Sequence, residues 1–258
     1  MKRREFVAAS VAAGLGALAA GQSVDAAEGD DRQVLELQYY SVASQEKLAA
    51  LEDVLAKAFV PAWNRLGIEP VGVFLPTDDT LGLYVLLPHP NVQSVLDTPA
   101  ALLADAAFVE AAKPALTDPQ KDPLYQRIES SLLLAFKGCP KVECPTSVEG
   151  RVFQLRIYES HNLQKHFKKV EMFNDGGELR IFRECGMNPV FFGQAIIGGK
   201  LPNLTYMLGF DSEEAQKEGW KKFLAHPDWQ TLKNDPQYAE TVSNITNILL
   251  KPSKASQI

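Results

Sequence analysis

Apolar and polar side chains alternate along Val34-Leu35-Glu36-Leu37-Gln38-Tyr39-Tyr40, and the alternation returns in Val152-Phe153-Gln154-Leu155-Arg156-Ile157-Tyr158. A period of two marks a strand with two unlike faces. After the first strand the period lengthens. Leu48, Leu51, Leu55 and Phe59 share one helical face, with Ser44 placed to cap the helix and Gly67 to end it. Apolar strands are predicted at Ile68–Leu75 and Leu81–Leu87, then a helix opened by Pro99 as its first residue, then a strand at Ser131–Phe136. The second stretch predicts a helix with Leu163, Phe167 and Val170 inward, and strands at Leu179–Arg183, Pro189–Ile197 and Leu204–Phe210. Asp211-Ser212-Glu213-Glu214 then caps a helix bearing Trp220, Phe223 and Leu224 that stops at His226-Pro227, and a last strand covers Ile245–Leu250.

The chain thus reads as a duplication. Gly67-Ile68-Glu69-Pro70-Val71 recurs as Gly186-Met187-Asn188-Pro189-Val190, and Asp122-Pro123-Leu124-Tyr125 as Asp235-Pro236-Gln237-Tyr238. Each half has the order βαββαβ, the ferredoxin-like pattern, in which both helices cover one face of an antiparallel sheet. The bare faces bury each other when two halves pack sheet to sheet, so the fold class is α+β, an intrachain dimeric α/β barrel. The repeats span residues 33–137 and 151–252, joined by a linker at 138–150 that contains Cys-Pro twice.

Residues 1–26 change the picture of where the protein works. Arg3-Arg4 precedes a short apolar stretch, Val7–Ala20, and Val24 and Ala26 form a small-residue cleavage site. This pattern is a twin-arginine export signal cleaved after Ala26, placing the mature protein in the periplasm or outside the cell with no stable membrane insertion. The 258 residues carry a formal charge of −6, which gives no electrostatic reason to expect a nucleic-acid partner. Cys139 and Cys144 read as a short disulfide loop or idle thiols, and Cys185 as a small buried hydrophobe. A metal knuckle lacks its other ligands, so no metal is expected. His161 and His166 are five apart on a basic segment that reads as a solvated helix face, and Trp220, Phe223 and Trp229 read as core packing. His89 between two prolines reads as a turn. No nucleophile elbow, phosphate loop, dinucleotide fingerprint or zinc-protease motif occurs.

Candidate site residues follow from the strand alternation. If Phe153, Leu155 and Ile157 face the helices, then Gln154, Arg156 and Tyr158 face the barrel interior, as do Glu36, Gln38 and Tyr40 in the first half. Buried Arg156 then requires a partner, and pseudo-symmetry points to Glu36. This polar layer either fixes the register of the halves or lines a cavity with Arg156 as anion anchor and the tyrosines as walls.

The stretches Arg151–Tyr158, Gly193, Leu201-Pro202-Asn203-Leu204-Thr205-Tyr206-Met207-Leu208 and Trp220–Trp229 resemble a NIPSNAP-family domain. The resemblance implies the dimeric α/β-barrel fold and names no cofactor or reaction. Two activities fit: binding of a small organic or anionic ligand or a protein partner through the barrel, and, alternatively, a cofactor-light enzyme such as a monooxygenase or isomerase. A homo-oligomer is compatible with either.

Overall fold

The computed structural model describes residues Asp31–Ile258. The expected export signal and the expected cleavage after Ala26 lie outside the described residues. Strand β1 (Val34–Ser41) leads into helix α1 (Gln45–Val54), capped by the Ser44 hydroxyl accepting from the Lys47 N–H. The helix runs through a π-helical turn at Leu55–Phe59 into α2 (Val60–Arg65) and stops at Gly67, whose φ of 75° suits glycine. Strands β2 (Gly72–Pro76) and β3 (Gly82–His89) follow, then α3 (Val92–Ala104), α4 (Ala106–Ala111), α5 (Lys113–Leu116) and β4 (Arg127–Ala135). The second half comprises β5 (Val152–Glu159), α6 (Leu163–Asn174), α7 (Glu178–Glu184), β6 (Asn188–Ile197), β7 (Asn203–Phe210), α8 (Glu213–Ala225), α9 (Pro227–Leu232) and β8 (Asn244–Pro252).

Two predicted elements change. Helix α3 starts seven residues earlier than Pro99, because the Asn91 side chain caps it by accepting from the Ser94 N–H, and Pro99 sits inside it. The segment expected as a strand at Leu179–Arg183 is helix α7, and Cys185 caps its C-terminus. Its period is helical: Leu179, Ile181 and Phe182 are buried with Glu178 while Arg180 and Arg183 stay outside. All three cysteines are free thiols.

The eight strands pair antiparallel in the closed order β1-β3-β2-β8-β5-β7-β6-β4. Each half contributes four neighbouring strands, and β2–β8 and β4–β6 pairing closes the barrel. Three apolar cores result. One joins α1, α2 and α4 to the first half's sheet, and another joins α6, α7 and α8 to the second half's. The third draws members from all eight strands and none from a helix, including Leu35, Leu37, Phe74, Leu133, Phe153, Leu155, Met207 and Leu250. A cluster so composed fills the barrel lumen.

The lumen core reverses the expected strand faces. Leu35, Leu37, Phe153 and Leu155 point inward, so Glu36, Gln38, Tyr40, Gln154, Arg156 and Tyr158 lie beneath the helix layers. Both faces of these strands are buried, so alternation separates polar from apolar without saying which lies inside. The lumen takes the apolar face because no helix enters it to supply partners for charged groups.

Candidate functional site

Beneath the first helix layer the polar face of β1 forms one chain of hydrogen bonds. The Tyr40 hydroxyl donates to Gln38 Oε1 at 2.9 Å, Gln38 Nε2 donates to Glu36 Oε1 at 2.8 Å, and the Ser130 hydroxyl donates to the same oxygen at 2.7 Å. His89, read from sequence as a turn, ends β3 fully buried, with Nε2 3.4 Å from Glu36 Oε2 and Nδ1 3.0 Å from the Ser94 hydroxyl. Burial pushes the Glu36 carboxyl up, but the bonds from His89, Gln38 and Ser130 outweigh it and hold the pKa below the ordinary 4.5. Such a group stabilises the fold above pH 4.5 and loses that contribution as pH falls through its lowered folded pKa. Glu36→Gln is therefore expected to cost roughly 1–3 kcal/mol at neutral pH and to converge with the wild type in acid, as checked by urea unfolding between neutral pH and pH 3.

Arg156 does not meet Glu36. Its guanidinium carbon stacks 4.5 Å from the Trp220 ring centre and 5.3 Å from that of Tyr158, and its Nε is buried without a hydrogen-bond partner. The Trp220 indole donates to Gln154 Oε1 at 2.6 Å, and Gln154 Nε2 donates to Asn247 Oδ1 at 2.7 Å. The Tyr206 hydroxyl donates to that of Tyr158 at 2.9 Å, and burial raises both phenol pKa values. The six sequence-derived residues thus form two separate packed layers, one per half, and share no cavity.

The open space lies elsewhere. A cavity of about 470 Å³ occupies one mouth of the barrel. Its floor is apolar, formed by Leu37, Ile157 and Ile248, and its rim is polar, carrying Tyr39, Tyr84, Thr205, Thr246 and Lys200 together with the carboxylate of Glu129. Tyr39 and Tyr84 are direct cross-strand partners with ring centres 4.9 Å apart. Burial raises both phenol pKa values, that of Tyr84 to about 12, so both remain hydrogen-bond donors at neutral pH. The corresponding cross-strand pair of the second half is Ile157 and Thr205. Smaller side chains there leave one wall aromatic and the opposite wall open.

The β6–β7 loop places Lys200 over this mouth. Gly198 holds φ at 146°, and a Cβ there would lie 2.4 Å from Ser131 Oγ, so only glycine lets the loop close against β4. Lys200 itself sits at φ 58°, with Nζ donating to Thr246 Oγ1 at 3.0 Å and lying 3.7 Å from Glu159. The sequence reading missed Tyr39, Tyr84 and Lys200. Tyr39 lay on the face assigned to the helices, and Gly198-Gly199 before Lys200 was the available signal of a constrained turn. Among the described residues no group of three or more His, Cys, Asp and Glu side chains is placed to hold a metal, and no helix is long and apolar enough to cross a membrane.

The barrel is similar to a protein of Lactobacillus acidophilus provisionally described as a monooxygenase, with TM-score 0.59 and 11% identity, covering 88% of this chain and 97% of that one. A Fusobacterium nucleatum protein with the same provisional description aligns at TM-score 0.56 and 9% identity over 86% of this chain and 93% of that one. At such identities the likeness establishes a shared fold. A NIPSNAP-like domain protein of Burkholderia xenovorans aligns at 21% identity and TM-score 0.35, over 42% of this chain and 90% of its own. No curated protein matches the chain. The NIPSNAP family model matches residues 153–257, the stretch from β5 through β8, and the second half of this chain is a NIPSNAP domain.

Proposed function

We propose that the protein, exported by the twin-arginine route, binds a small organic molecule in the barrel mouth, and that the molecule has a planar apolar body and an anionic or hydroxyl head. The observation that carries this reading is the Tyr39–Tyr84 pair and Lys200 on the rim of one cavity above an apolar floor. Such pockets take the body of a ligand by apolar contact and orient it with a few polar groups. Here the phenols donate hydrogen bonds and supply an aromatic wall, and the ammonium of Lys200 attracts the head. A volume of about 470 Å³ suits a compound of one or two rings.

The two halves are read as tandem ferredoxin-like units, in strand orders β4-β1-β3-β2 and β8-β5-β7-β6. Fusing the halves in one chain lets each supply a different wall, which a symmetric dimer of identical chains cannot do. The first half brings the tyrosines; the second brings Lys200, Thr205 and Thr246. Calorimetric titration with 4-hydroxybenzoate, an aromatic anion of this description, tests the reading. Lys200→Met and Tyr39→Ala are each expected to weaken binding about tenfold, the loss of one hydrogen bond to a charged or buried partner. Equal affinity in wild type and both variants contradicts it.

A further inference from the structure

Helix α6 turns only part of its expected face inward, Val170 packing against the second half's core. Leu163 and Phe167, expected to face the core, are 65% and 54% exposed, whereas His166 and Lys169 are buried. Lys169 is answered by Glu178. His166 is 1% exposed and neither of its ring nitrogens has a hydrogen-bond partner; its one ring contact is with Phe167. Buried polar groups are normally paired, so an orphaned imidazole is a feature that asks for a partner.

That ring lines a second cavity, of about 210 Å³, on the helix-facing side of β6. Leu163, Ala195, Ile196, Leu201 and Pro202 form most of its wall, with the half-buried amide of Gln194 beside them, and Leu163, Ile196 and Leu201 are exposed. An apolar rim open to solvent around one buried polar group is the composition of a ligand pocket. The cavity is distinct from the barrel mouth, although one loop serves both: Gly199 and Lys200 face the mouth, while Leu201 and Pro202 face this pocket. Burial lowers the His166 pKa, so the ring stays neutral at physiological pH and offers one N–H donor and one nitrogen acceptor.

We propose that this pocket binds a small apolar molecule of about one ring that carries a single hydroxyl group. Its hydroxyl pairs with the His166 imidazole and its body lies against Leu163, Ile196 and Leu201. A hydroxyl both donates and accepts, so it matches either tautomer of the neutral ring. Engagement brings one ring nitrogen round to the cavity by rotation about the Cβ–Cγ bond. A charged head is excluded by the apolar wall and by the absence of a countercharge among the lining residues.

Phenol is the probe. Titrated into protein labelled with ¹⁵N in its histidine rings, it is expected to move the His166 ring resonances saturably. His166→Phe and Leu201→Trp, the second filling the cavity from its exposed rim, are each expected to weaken phenol binding at least about tenfold, with the affinity for 4-hydroxybenzoate unchanged. Ring resonances that stay fixed at high phenol, or undiminished phenol binding in Leu201→Trp, overturn the proposal. Should His166→Phe fail to fold, the ring resonances and the Leu201 variant still decide.

Discussion

Replacing Glu178 by alanine is expected to cost about 3–5 kcal/mol of folding stability, the effect of stranding a charge in a closed interior. Lys169 Nζ donates to Glu178 Oε2 at 2.6 Å, and the two residues are 4% and 1% exposed. The ammonium also lies 4.6 Å from the Phe173 ring centre and 3.3 Å from Met172 Sδ, soft contacts that cannot replace a carboxylate. Burial pushes the Glu178 carboxyl up, and Lys169 opposes that push. Each partner is therefore in place only because the other is. The double variant Lys169→Met, Glu178→Leu removes both charges and keeps the volume, so it is expected to recover most or all of the loss. Lys168 and Glu171, a pair of similar length on the exposed side of the same helix, serve as control: Glu171→Ala should leave the urea midpoint nearly unchanged. A small effect of Glu178→Ala, or a double variant no better than the single, contradicts the buried pairing.

Phe153→Ala is expected to cost a similar amount, about 3–5 kcal/mol, through a cavity in the lumen that rigid strands cannot close. The ring is fully buried and meets Phe74 edge to face with centres 4.9 Å apart. This contact joins β5 of one half to β2 of the other, so its loss weakens the fusion of the two halves as well as one sheet. A double-mutant cycle with Phe74→Ala should show a coupling of about 0.5–1.5 kcal/mol. The same cycle with Phe223→Ala on α8 should show almost none, because Phe223 packs against Phe182 and Trp229 on the other side of the sheet. The converse pattern would place Phe153 beneath the helices, as strand alternation alone suggested.

Much of the architecture was legible because it is written in local chemistry. Ser44 and Ser212 announce helix starts through hydroxyls that accept from the Lys47 and Ala215 N–H groups. The alternation of β1 and β5 announces two strands, Gly67 announces a helix stop, and the bare sheet faces announce the barrel. What was not legible depends on partners distant in sequence. The inward face of β5 could be assigned only once a closed lumen without helices was known. Helix α6 looks amphipathic in a partly wrong sense because Lys169 is neutralised by Glu178 from the next helix, a pairing that no periodicity reveals. Pro99 misled because a proline one turn or more inside a helix resembles a helix start when the Asn91 cap goes unnoticed. Lys200 acquires its place from a loop whose course is set by Gly198 against Ser131, a contact between this loop and strand β4 of the other half.

The polar strand residues illustrate the same limit for function. Arg156 and Glu36 are half-buried and charged, which drew them into one predicted site, yet each meets its neighbours within its own half, Trp220 and Tyr158 stacking against Arg156 and His89, Gln38 and Ser130 contacting Glu36. Their chemistry holds helices to sheets. The cavity instead forms where the two sets of four strands differ, with Tyr39 and Tyr84 opposed to Ile157 and Thr205.

The most direct measurement is an amide chemical-shift map of ¹⁵N-labelled protein titrated with 4-hydroxybenzoate. The expected result is saturable shifts concentrated at Tyr39, Tyr84, Gly199, Lys200, Thr205 and Thr246, at the barrel mouth, and none beneath the helices. Shifts confined to the neighbourhood of Arg156, Tyr158 and Trp220 would contradict the assignment of the mouth as the binding site and return it to the helix-covered face.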